Sequence, residues 1–184
     1  GVSLAPGAAA TSPSSSQVQH LVGMNDNSEK VAYFGITNPS DQKSSYHLKF
    51  FDSEGKQIGG VYELTLSRFG QRQYQPKELR DQFGVHDVDD FRIQVEATAT
   101  EQFFPFGASL RVGSEDPSYI SVGPQADARV YLLGVLSTKG INNSLWQTDL
   151  VVANTSDEVV LTELSFTGAG VSAVPTSPVR LTLQ

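Results

Sequence analysis

The sequence predicts an all-β protein made of antiparallel β-sandwich modules, one complete and one partial, with a single short helix. Three observations predict this: a residue pattern that returns at a fixed distance, short segments that alternate apolar and polar residues, and turn residues between them. Asn38-Pro39-Ser40-Asp41 recurs as Asn154-Thr155-Ser156-Asp157, a spacing of 154 − 38 = 116 residues. The same offset relates Asn27-Ser28 to Asn143-Ser144, Leu48 to Leu164 and Phe50 to Phe166. One residue out of step, Leu64-Thr65-Leu66 is echoed by Leu181-Thr182-Leu183, and Val2-Ser3-Leu4 reads as the same strand again. A period of this length is too long for a solenoid unit and suits an independent sandwich domain.

Three segments follow from that period: an N-terminal strand and linking segment over residues 1–20, a complete module over 21–130 and a partial second module over 131–184. The Gly/Ala/Ser/Thr/Pro stretch from Gly7 to Ser16 has little to pack and reads as a flexible linker in an isolated monomer; where it is ordered, it is expected to lie against a partner, a neighbouring copy or its own domain. Beyond Gln17, alternation places Tyr46, Leu48 and Phe50 on one face and Ser45, His47 and Lys49 on the other. Its counterpart aligns Val160, Thr162, Leu164 and Phe166. Further strands are expected at 31–37, 62–66, 91–97, 104–112, 119–122, 130–135, 150–153 and 179–183. Turns are expected at Asp52-Ser53-Glu54-Gly55, Gly59-Gly60, Asn142-Asn143 and Gly168-Ala169-Gly170. One segment reads as helix: Pro76 suits a first turn, Leu79 and Phe83 form an i, i+4 stripe, and Gly84 suits a left-handed end. Pro105 lacks the donor that a central strand needs, so its strand is expected at an edge or a bulge. The predicted core is Leu48, Phe50, Phe91, Ile93, Val95, Leu110 and Val112, with Phe104, Phe106 and Ala108 also inward.

Composition narrows the function classes. The formal charge of −7, from 13 basic and 20 acidic residues, argues against nucleic acid and anionic membrane, which call for a basic face. No apolar run is long enough to span a bilayer. With no cysteine there are no disulfides and no thiolate metal sites. A first residue Gly1 fits a processed or trimmed product, and the wealth of Ser, Thr, Gly, Asn and Gln leans towards an extracellular β-protein.

Catalysis finds little support. The histidines His20, His47 and His86 read as surface groups, and no nucleophile elbow, phosphate-binding glycine loop or zinc-helix motif occurs. No cofactor is expected, and calcium is the one ion with a candidate site: Asp87, Asp89 and Asp90, with Asp81, offer carboxylates on a loop. That loop lacks the glycine and distal glutamate of a helix-loop-helix calcium site, and a solvated loop is the favoured reading. Asn25-Asp26-Asn27 reads likewise as turn and cap residues. Phe103, Phe104, Phe106, Tyr119 and Trp146 could make a sugar-stacking platform, but alternation assigns most of them to the core and only Trp146 to a surface. Asn142-Asn143-Ser144 and Asn154-Thr155-Ser156 match the N-glycosylation pattern, which Pro39 blocks at Asn38, and the Thr11–Ser16 tract offers hydroxyls for O-linked sugars.

At Trp146-Gln147-Thr148-Asp149-Leu150, followed by Asn154-Thr155-Ser156-Asp157, the chain resembles tandem immunoglobulin-like β-sandwich modules of large secreted bacterial proteins. Their pattern is an aromatic residue, a Thr-Asp-Leu strand start, an Asn-Pro-Ser or Asn-Thr-Ser turn and a strand ending in Leu-x-Pro-Gly, here Leu4-Ala5-Pro6-Gly7. The resemblance implies a fold and a secreted bacterial setting and carries no catalytic residues over. Lys30 stands where Trp146 does and Tyr33 where Asp149 does, so the complete module manages without that pair.

These readings lead to one expectation: a non-enzymatic structural protein of the bacterial surface whose copies form a filament, or pilus-like appendage, by strand exchange. Val2, Ser3 and Leu4 are the expected assembly strand, and Leu150, Val152, Leu181 and Leu183 the expected acceptor edge, because an incomplete sandwich exposes an apolar groove and unpaired strand edges. The competing expectations are a module of a larger secreted adhesin or carbohydrate-binding protein, and an accessory module of a secreted hydrolase.

Overall fold

The computed structural model describes residues 18–98, 102–114, 117–122, 137–139, 145–148, 150–156, 158–168 and 176–183. The protein is all-β, with antiparallel sheets and, among the described residues, one short helix. It divides into two compact units, Gly1–Thr148 and Asp149–Gln184. The module boundary expected at 130/131 and the strand expected at 130–135 lie outside the described residues, as do the turn at Asn142-Asn143 and the assembly strand Val2-Ser3-Leu4.

The first unit contains a two-sheet sandwich. Strands β1 (Val18–Asp26), β2 (Lys30–Thr37), β3 (Ser44–Phe51), β4 (Gln57–Leu66) and β5 (Gln71–Tyr74) precede helix α1 (Pro76–Phe83), and β6 (Val88–Ala97), β7 (Phe104–Arg111) and β8 (Pro117–Ser121) follow it. One sheet has the order β1-β6-β3-β4 and the other β5-β2-β7-β8. A short pair, β9 (Ser137–Lys139) with β10 (Leu145–Gln147), completes the described part of this unit. Among the described residues, no helix is long and apolar enough to cross a membrane.

Alternation explains the core of the first sheet. Tyr46, Leu48 and Phe50 of β3 and Phe91, Ile93 and Val95 of β6 are fully buried, facing Ala32, Phe34 and Ile36 of β2. Phe34 meets Phe50 edge-on across the sandwich, with ring centroids 6.4 Å apart, and stacks on Tyr74 at 5.8 Å. Helix α1 plugs one end. Its stripe buries Leu79 and Phe83, and Gly84 ends it at φ 73°, as the sequence predicts. Phe83 stacks on Phe50 at 4.7 Å and meets Tyr62 at 4.6 Å and Tyr74 at 5.0 Å edge-on, so one helical residue clips both sheets. Arg80 on the same helix reaches the buried Asp26 with both arms of its guanidinium, donating from Nε at 2.8 Å and from Nη2 at 3.1 Å.

Strand β7 corrects the sequence reading. Its inward residues are Pro105, Gly107 and Ser109, flanked by the buried Phe103, while Phe104 is 44% exposed, Phe106, Ala108 and Leu110 are half-buried, and Val112 is 56% exposed. The parity inverts because Met24 of β1 fills the space above the strand. A Cβ on Gly107 would stand 2.5 Å from its Sδ, so the inner face of β7 has to be small. Pro105 lies on a strand that is central in its sheet, yet pairing with β8 runs only over Phe106–Leu110, so among the described residues the strand has a single neighbour at Pro105. Gly59-Gly60, expected as a turn, lies inside β4, where Leu48 pairs Tyr62 but Phe50 pairs Ile58. Gly59 carries this bulge at φ 65°.

Replacing Phe50 with Ala removes the ring that touches Phe34, Tyr62 and Phe83, and is expected to cost roughly 3–5 kcal/mol. Urea denaturation followed by far-ultraviolet circular dichroism measures this. A loss below about 1 kcal/mol would mean the two sheets are not held together at this contact.

Candidate functional site

The second unit is built on the same plan as part of the first. Its hairpin β11 (Val160–Leu164) and β12 (Val179–Leu183) pairs Val160 with Leu183, Thr162 with Leu181 and Leu164 with Val179. In the complete module β3 and β4 pair Ser44 with Leu66, Tyr46 with Leu64 and Leu48 with Tyr62. Adding 116 to each β3 residue and 117 to each β4 residue reproduces the second register from the first. The turn before the hairpin matches as well. The Asn38 side chain donates to the Gln42 carbonyl at 2.8 Å and accepts from the Ser40 amide at 3.0 Å. Asn154 donates to the Glu158 carbonyl at 2.6 Å and accepts from the Ser156 amide at 3.0 Å. Over the Asn turn and the hairpin, the repeat seen in the sequence is therefore a structural repeat.

The two copies differ in what covers them. Leu150, Val152 and Phe166 occupy the positions of Phe34, Ile36 and Phe50, which are fully buried, yet they are 46%, 36% and 51% exposed. The apolar face of the hairpin, with Val160, Leu164, Val179, Leu181 and Leu183, alternates with a polar face on which Arg180 Nε donates to Glu163 at 2.7 Å. In the complete module the second edge of β3 is occupied by β6, through Tyr46–Ala97, Leu48–Val95 and Phe50–Ile93. Among the described residues the corresponding edge of β11 pairs with nothing. A two-stranded hairpin is marginal in water by itself.

Of the expected acceptor residues, Leu181 and Leu183 lie on β12 and contribute to the apolar face, whereas Leu150 and Val152 do not form the expected strand at 150–153. Their counterparts in β2 are held between β5 and β7, and no such neighbours flank 150–153 among the described residues. The open edge beside this face is that of β11, which sequence reasoning did not single out. The signal was present in the offset, which equates Val160–Leu164 with a strand that is central in its own sheet.

The candidate calcium ligands do not converge: among the described residues no group of three or more His, Asp or Glu side chains is placed to hold a metal ion. Asp89 accepts a hydrogen bond from the Asn27 side chain, the Asp90 amide donates to Asn25 Oδ1 at 3.2 Å, and Asp81 pairs with Lys77 on the helix. The acidic loop is thus a latch on the β1–β2 turn. Asp87 and Asp90 adopt φ of 53° and 49° there.

The histidines are spread over three elements. His86 is exposed in a loop, and His47 lies 3.8 Å from Glu63 on the outer face of β3. His20 of β1 is half-buried, and among the described residues its buried Nδ1 has no hydrogen-bond partner. Desolvation, with the Arg92 charge adding to it, lowers its pKa to about 4. Of the aromatic candidates, Phe103 is buried against Tyr46, whereas Phe104 and Tyr119 face outward, and the side chain of Trp146 lies outside the described residues.

No protein-family model and no curated protein matches the chain. Among solved structures, the crystal structure of Thermotoga maritima 1070 is similar with a TM-score of 0.45 at 15% sequence identity, covering 60% of this chain and 94% of that one. The Anabaena sensory rhodopsin transducer is similar with a TM-score of 0.37 at 18% identity, covering 48% of this chain and 89% of that one.

His20 makes stability depend on acid. Its native pKa of about 4 lies below the ordinary 6.5, so its contribution is intact above pH 6.5 and is lost as the unfolded chain takes up a proton between 6.5 and 4. Urea midpoints at neutral pH and near pH 4 are expected to fall further for the native chain than for His20→Gln. Equal falls would show that His20 is as well solvated folded as unfolded.

Proposed function

We propose that the chain is a non-enzymatic structural protein of the bacterial surface whose copies join head to tail by strand exchange. The observation that carries this reading is the exposure of Leu150, Val152 and Phe166 at positions whose equivalents are fully buried in the complete module. An apolar face beside an unpaired edge is a template for strand addition, in which main-chain hydrogen bonds supply affinity and alternate side chains fill the groove. The proposed donor is the Val2-Ser3-Leu4 strand of a second copy, running along the open edge of β11 as β6 runs along β3, with Val2 and Leu4 turned to the apolar face. A head-to-tail contact of this kind does not close on itself and so propagates as a filament. The spread of the three histidines over separate elements supports a role without catalysis.

The test compares the full chain with one beginning at Val18, by light scattering and electron microscopy. The full chain is expected to form large particles, and the shortened chain to remain monomeric with its complete module folded. Equal particle sizes would overturn the donor role of Val2-Ser3-Leu4.

A further inference from the structure

The two outer faces of the complete module differ in charge. On the β1-β6-β3-β4 sheet the outer face carries Lys49 3.7 Å from Glu96, His47 beside Glu63, and Arg92 stacked 4.4 Å over the Phe51 ring. On the other sheet, the outward alternate residues of Val31–Thr37, Phe104–Leu110 and Pro117–Ser121 include no charged side chain. Register brings Tyr33, Ala108 and Tyr119 into one row across β2, β7 and β8. The tyrosines therefore stand two strand spacings apart, about 10 Å, with an alanine as the floor between them. Tyr119 is 66% exposed, and among the described residues neither ring packs on another aromatic ring.

We propose that the Tyr33–Ala108–Tyr119 row is a binding site for a neutral glycan. The two tyrosines flank a single alanine, and tyrosine offers an apolar face to the C–H side of a sugar and a hydroxyl at its wet end. The absence of charge disfavours anionic and cationic ligands alike. Size disfavours a second copy of the chain. Three strands over the five residues that β7 and β8 share outline only roughly 250 Å², well short of the about 800 Å² per partner in a stable protein interface. The site lies wholly on the complete module and does not depend on strand exchange.

The test titrates the full chain with cellohexaose and laminarihexaose, two neutral hexasaccharides, and with hexagalacturonate as an anionic comparison, by calorimetry. At least one neutral hexasaccharide is expected to bind saturably, about tenfold more weakly to Tyr33→Ala and to Tyr119→Ala, and within about twofold to His47→Ala on the opposite face. Thermal melting establishes that each variant is folded. Three results would overturn the proposal: no saturable binding of either neutral sugar by the folded chain, equal binding of hexagalacturonate, or loss of a concentration-dependent dimer in place of sugar binding in the tyrosine variants.

Discussion

The contact between Phe34 and Phe50 is where the two sheets of the module meet, and most of the structure follows from the need to cover those two rings. An apolar sheet face in water has to be hidden, at about 25 cal/mol for each Å². The second sheet hides the first. Helix α1 closes the end of the sandwich by inserting Phe83 among Phe50, Tyr62 and Tyr74, and the Asp26–Arg80 pair holds the helix in place from the side. Removing any one of these layers leaves the others facing solvent.

The second unit shows that consequence within one polypeptide. It repeats the Asn turn, the hairpin and its register, and it repeats the apolar positions. The counterparts of Phe34 and Phe50, however, are Leu150 and Phe166, each about half exposed. Local sequence therefore suffices to set a turn and a hairpin, whose hydrogen bonds are short-range. Burial needs residues distant in sequence, the equivalents of β6 and β7. A surface that is built like a core and is exposed among the described residues is the physical basis for the proposed assembly by strand sharing.

Much of the fold was legible in the sequence. Helix α1 announced both its limits through Pro76 and Gly84, and the cores of β3 and β6 followed from strict alternation of large apolar residues. Alternation misled at β7, where the large residues Phe104, Phe106 and Leu110 turn outward. Which parity faces in was decided by Met24 on another strand, a long-range packing fact that no local period contains. Strand β5, Gln-Arg-Gln-Tyr, was missed because only Tyr74 is buried and the rest of its pattern is polar. The outer aromatic face is hidden for the same reason, since alternation along a strand does not say whether the parity of Phe104 or Tyr119 faces the core. The open edge of β11 was legible in principle from the offset, and the acidic loop became intelligible only once Asn25 and Asn27 were seen to lie against it.

The absence of cysteine from the chain makes the proposed strand exchange testable by disulfide trapping. In the proposed pairing, Ser3→Cys would face the side of β11 on which Leu161→Cys or Glu163→Cys places a thiol. In a chain carrying both substitutions, mild oxidation is predicted to give a reducible ladder of covalent oligomers, with each single substitution giving at most a dimer. Only monomers with both thiols free, or a disulfide formed within one chain, would contradict the exchange of strands between copies.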